Sequence, residues 1–182
     1  MGVAVKLYKF LLFCLPFFLG PVPAQARWEA ETDPTAYALD GFSAHLGYSV
    51  LDGRARLQLG AFGAETPKWI HGNSGFSQNS RGVSFKFDYF LLRPAAGLFV
   101  GVDSNYSRVR YELDRTHECT YRNIAGLGPR AGYRFNLGSH LYVSPWVAVD
   151  HQFNTKDATV SGRTFHETKY SVFPAVHLGW RF

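Results

Sequence analysis

The stretch GVSFKFDYFLL, residues 82–92, puts Val83, Phe85, Phe87, Tyr89 and Leu91 on one side of an extended chain and Ser84, Lys86, Asp88 and Phe90 on the other. Successive side chains of a β-strand point to opposite faces, so a run that alternates in this way is a strand with a different solvent on each face. Residues 41–50 repeat the pattern, with Phe42, Ala44, Leu46, Tyr48 and Val50 set against Ser43, His45, Gly47 and Ser49. So do residues 170–182, where Tyr170, Val172, Pro174, Val176, Leu178, Trp180 and Phe182 oppose Ser171, Phe173, Ala175, His177, Gly179 and Arg181. Residues 54–64, 97–113, 121–137 and 140–153 read as further strands of the same kind. In the second of these the alternation slips in phase near Tyr106, which requires a bulge or the strand's exit from a membrane.

The connections between these strands alternate too. Leu51-Asp52-Gly53, Pro94-Ala95 and Gly138-Ser139 are tight turns of suitable residues, whereas residues 65–81, 114–120 and 154–169 are longer loops. Short turns on one rim and long loops on the other predict an all-β fold, a closed antiparallel up-and-down transmembrane β-barrel with short periplasmic turns and longer extracellular loops. After residue 26 no segment offers the roughly 18 consecutive apolar residues of a membrane helix. Tyr48, Tyr89, Tyr133 and Trp180 lie on the apolar face, each a few residues from a short turn or the C-terminus, and with Phe182 they predict an interfacial girdle that turns this face to lipid. The opposite face carries His45, Arg54, Arg56, Lys86, Asp88, Asp103, Arg130, Arg134, Asp150, His177 and Arg181, interspersed with glycine and serine. A charge on the lipid face costs about 2–4 kcal/mol near the midplane, so these residues are expected in the lumen.

Residues 1–26 carry Lys6 and Lys9, then a short apolar core, then Ala24-Gln25-Ala26. This is the layout of a cleaved secretory signal peptide, which leaves residues 27–182 as one barrel domain. Cys14 follows Phe13 rather than a small residue, which disfavours lipidation. Cys119 is the one cysteine beyond the leader and can form no internal disulfide. The formal charge of +5 falls to +3 when Lys6 and Lys9 are removed, too mild a basicity to suggest nucleic acid as a partner.

In these features the chain resembles the small outer-membrane β-barrel proteins of Gram-negative bacteria, which commonly have eight strands. The most specific element is the C-terminal strand, where Phe182 ends a series with Trp180, Leu178 and Val176 at every second position. The resemblance implies that this strand is the recognition signal for the barrel-insertion machinery. It also implies a monomer in contact with outer-membrane lipid and lipopolysaccharide. Bacterial barrels of one chain have even strand numbers, and seven strands are legible above. Residues 27–39, RWEAETDPTAYAL, are therefore expected to supply the missing one despite Pro34.

The residues leave several chemistries open. His45 and His177 are expected at one depth of the lumen, as a proton- or metal-binding pair or as neutral members of a hydrogen-bond network. Six cations (Arg54, Arg56, Lys86, Arg130, Arg134, Arg181) against three anions (Asp88, Asp103, Asp150) suggest a salt-bridged, plugged interior, with a narrow, porin-like anion channel as the rival. Some members of the resembled family acylate or deacylate lipid A. Here His71, Ser74, Ser77, His117, His166 and Glu167 lie in the long loops and His151 at the top of a strand, but no His-x-Ser arrangement occurs and no catalytic residue is assigned. His117, Glu118 and Cys119 are consecutive, a poor geometry for one ion, so neither a metal nor another cofactor is expected. GLGPRAG, residues 126–132, lies inside an alternating strand without a following helix and is no phosphate loop. Asn105-Tyr106-Ser107 matches a glycosylation acceptor, which carries no information in a bacterial envelope. Trp69 and Ile70, with residues 156–169, are the loop stretches most suited to rim packing or partner binding. The reading is a structural or surface-binding barrel.

Overall fold

The computed structural model describes residues 27–182. The predicted leader and its cleavage site lie outside the described residues. The strands are β1 (Trp28–Thr32), β2 (Phe42–Val50), β3 (Ala55–Thr66), β4 (Phe76–Phe90), β5 (Gly97–Leu113), β6 (Cys119–Leu137), β7 (Leu141–Phe153), β8 (Ala158–Val160), β9 (Arg163–Phe165) and β10 (Tyr170–Arg181). Eight of them close an antiparallel barrel in the order β1-β10-β7-β6-β5-β4-β3-β2, and β8 pairs with β9 as a separate hairpin. Closure comes from β1 against β10, with Glu29 opposite Arg181 and Thr32 opposite Leu178.

Two features depart from the sequence expectations, and one open alternative closes. The front strand is shorter than residues 27–39: Asp33 caps a helix, Pro34–Ala38, by accepting a hydrogen bond from the Thr35 amide, and Pro34 opens that helix at its first position. Proline there gives up a donor that the first turn leaves unpaired in any case. Arg54 lies exposed in the tight turn between β2 and β3, outside the lumen. The alternative that closes is the one at Tyr106. The register from Phe76↔Leu113 to Phe90↔Phe99 runs without interruption, so β4 and β5 contain no bulge there. Inward positions are odd-numbered along the whole of β5; what changes at Tyr106 is the chemistry of the two faces.

Two inward-facing glycines leave room for luminal rings. A Cβ at Gly60 would lie 1.7 Å from the His45 ring on the facing strand, and one at Gly179 would lie 2.2 Å from the Tyr142 ring. Each absent side chain makes room for a ring that reaches into the barrel from the paired residue across the ladder.

Candidate functional site

The lumen is packed with ionic side chains. Glu29 and Glu31, at alternate positions of β1, are buried together with Arg56, Lys86, Asp88, Asp103, Arg130, Arg134 and Asp150. Glu29 accepts two parallel bonds from Arg134, at 2.8 and 2.7 Å, and a third from the Tyr142 hydroxyl at 2.9 Å. Arg56 lies between Glu29 (3.2 Å), Glu31 and Asp88 (2.5 Å). Gln58 donates to Glu31 at 2.6 Å, and Arg130 Nε stands 3.3 Å from Asp88. Fork-shaped guanidinium groups suit such multiple carboxylate contacts better than a flexible ammonium does.

His45 and His177 do come together. Their rings stack at 4.8 Å, His177 Nδ1 is 2.7 Å from Glu31, and His45 Nδ1 is 3.3 Å from Lys86 Nζ. With Glu31 on one side and Lys86 on the other, the pair is part of the same network. Trp146 completes this layer: the guanidinium carbon of Arg130 sits 4.2 Å and the ammonium of Lys86 5.2 Å from its ring centre, where each cation meets the negative face of the indole. Nearer the extracellular end, Asn105 donates to Asp150 at 2.9 Å.

Among the described residues, five luminal cations (Arg56, Lys86, Arg130, Arg134, Arg181) face five carboxylates of the network (Glu29, Glu31, Asp88, Asp103, Asp150), and a sixth buried carboxylate, Asp33, is taken up by its helix cap. The expected cation excess is absent, because Arg54 leaves the count and two glutamates enter it. Both glutamates sit in Trp28-Glu29-Ala30-Glu31, an alternating run too short to stand out. The signal that could have found them is electroneutrality: buried cations need buried anions, and the unassigned front strand had to supply them.

The residues expected to form a girdle take the outward face at the end of the barrel that carries the short turns. Tyr48 packs on Trp28 with ring centres 4.8 Å apart, Tyr133 on Phe135 at 4.5 Å, and Trp180 stacks on His140 at 5.0 Å. Tyr89 is 38% exposed on the same face, and Phe182 donates its amide to the Trp28 carbonyl at 3.0 Å. Between the rims the outer wall shows Leu46, Leu57, Leu59, Val83, Phe85, Val100, Val102 and Leu127. An exterior of this composition around an ionic interior fits lipid and not water.

At the extracellular end the polarity reverses. Phe76, Val109, Tyr111, Leu113 and Ile124 turn inward and bury against Ala158, Val160 and Phe165 of the β8–β9 hairpin, so residues 154–169 form a lid with its own apolar core. Tyr111 donates to Glu167, which also accepts from Gln78 at 3.1 Å. Burial raises the Glu167 carboxyl above the usual range. His166 Nδ1 lies 2.8 Å from Asp157 and His117 Nδ1 2.7 Å from Glu112. His117, Glu118 and Cys119 do not converge, since Glu118 accepts from Ser161 and Cys119 is exposed. Trp69 is 83% exposed on a helical turn, Lys68–His71, instead of packing on the rim. His151 meets the rings of Phe153 (4.7 Å) and Tyr170 (5.3 Å) edge to face.

This geometry has counterparts among solved structures. The N-terminal β-barrel domain of Pseudomonas aeruginosa OprF matches with a TM-score of 0.50 at 12% identity, over 87% of this chain and 98% of that one. The chain has the fold of a small outer-membrane β-barrel. Neisserial surface protein A gives a TM-score of 0.46 at 13% identity (86% and 95% covered), and a major outer membrane protein from Thermus thermophilus gives 0.49 at 14% (86% and 99%). At such identities the likeness is one of fold. No family model and no curated protein matches the chain.

Proposed function

We propose that the chain is an integral outer-membrane protein, monomeric, with a lumen closed to solutes and a structural or surface-binding role exerted through its extracellular lid. The observation that carries this reading is the charge-balanced network from Glu29 to Asp150, in which Arg56 alone joins three carboxylates from β1 and β4. An eight-stranded interior is just wide enough for side chains to fill. A small ion would have to separate buried pairs, a disruption that costs several kcal/mol. The apolar cluster under β8 and β9 adds a second barrier above it.

Planar-bilayer recording is the test. The reading expects no conductance steps from purified protein. Anion-selective steps that vanish when Arg130 and Arg134 are replaced would reinstate the channel instead. For lipid-modifying activity, mass spectrometry of lipid A from cells with and without the protein should show one unchanged acyl pattern.

A further inference from the structure

Two features of the outer wall meet at the top of the lipid-facing belt, and neither belongs to the lumen or the lid. Arg81 of β4 and Arg108 of β5 stand directly opposite each other on the outward face, and Asn123 follows Arg108 in the same row. Like charges directly opposite in a sheet destabilise it. Among the described residues neither guanidinium meets a carboxylate; Arg108 instead rests over Tyr121, its guanidinium carbon 4.3 Å from the ring centre. Arg110, the next outward residue along β5, is by contrast neutralised by Glu112.

The row immediately below, Val83, Tyr106 and Ala125, belongs to a groove of about 410 Å³ in the outer wall. Its lining combines the small Ser104 and Ala125 with the larger Phe85, Tyr106, Leu127 and Phe153. Small residues among large ones leave a channel at the depth where acyl chains begin. An unpaired cationic pair therefore sits at the head of an apolar groove.

We propose that this wall binds one phosphate-bearing lipid of the outer leaflet, with the phosphate bridging Arg81 and Arg108 and an acyl chain lying along the groove. The inference rests on the reading above, in which the apolar exterior faces the bilayer and the long loops face outward. A phosphate offers enough oxygens to accept from both guanidinium forks and removes the repulsion between them. Asn123 supplies a neutral donor beside it. The groove selects a lipid over free phosphate because it adds apolar burial that an inorganic ion cannot use.

The experiment is native mass spectrometry of the detergent-solubilised chain titrated with lipid A, with lipid A stripped of its phosphates, and with inorganic phosphate. One lipid A is expected to bind, and removing its phosphates or making Arg81→Gln or Arg108→Gln should each weaken binding about tenfold or more. Ala125→Phe, which fills the groove, should weaken lipid binding as well, and Arg110→Gln should leave it unchanged. Equal binding of the phosphorylated and stripped lipids, no loss in either arginine variant, or displacement of the lipid by millimolar inorganic phosphate would overturn the proposal. Vesicle flotation separates the two levels of the account. If the wild-type chain floats and lipid A still fails to bind, the lipid site is wrong; if the chain does not float, the membrane reading is wrong.

Discussion

Strands β4, β5 and β6 pass through two environments, and the two halves of these strands are packed in opposite senses. On the periplasmic side of Tyr106, the outward residues of β5 are Leu98, Val100, Val102 and the small Ser104, and Asp103 is buried inside with Lys86 and Arg130. On the extracellular side the outward residues are Arg108, Arg110 and Glu112, and Val109, Tyr111 and Leu113 are buried inside. The ladder does not change; only the solvent does. Strand geometry supplies two faces, and the medium outside decides which of them is apolar. One continuous element thus joins an inverted, membrane-type barrel to a conventional apolar core that secures the lid.

The strongest way to break this comparison is to remove the central cation of the lower half. Arg56→Leu leaves Glu29, Glu31 and Asp88 buried without their shared partner, and should cost about 3–5 kcal/mol of stability. Urea unfolding in lipid vesicles, followed by heat-modifiable mobility on gels, would read that loss. An unchanged midpoint would mean that the interior is wet enough to solvate the carboxylates. Val102→Arg probes the outer face at mid-depth and should cost about 2–4 kcal/mol in the same assay. A loss near zero would place Val102 in water.

The upper half calls for gentler changes. Ile124→Val trims one methylene from the cluster beneath the hairpin and should cost about 0.5–1.5 kcal/mol, seen as faster hydrogen exchange in residues 158–165. Barrel unfolding should remain nearly unaffected. The smallest expected effect is that of pH on the lid. Burial raises the Glu167 carboxyl, so its neutral form is favoured in the folded state. Its contribution is present in full below the unfolded carboxyl's range and fades as pH rises through the raised value. Protection of the hairpin amides, with exchange corrected for its intrinsic pH dependence, should therefore fall as pH rises through that raised value, and Glu167→Gln should flatten that trend.

The sequence made the membrane-spanning half legible because lipid punishes polar exposure, leaving Val83, Phe85, Phe87 and Tyr89 in strict alternation with Ser84, Lys86 and Asp88. It was least legible where the medium changes. The apparent phase slip at Tyr106 is a reversal of polarity on an unbroken ladder, and hydrophobicity alone cannot distinguish that from a bulge. Residues 65–81 read as loop because polar Asn79 and Arg81 lie on the outside of an extended β4 above the apolar belt. In the lumen the inward residues of β2, β4, β6 and β7 were readable, yet their partners in β1 were hidden in a run of five residues too short for its alternation to stand out. Trp146, on the inward face, gave no sign that two cations would stack on it.

A cysteine accessibility scan along β5, residues 98–113, in a Cys119→Ser background tests the central claim most directly, using spin labels in lipid vesicles with oxygen and a water-soluble relaxant. The account predicts oxygen contact at even positions from Leu98 to Tyr106, water contact at Arg108, Arg110 and Glu112, and odd positions shielded from both throughout. A switch of the accessible set from even to odd at Tyr106, or oxygen contact at Asp103, would contradict it.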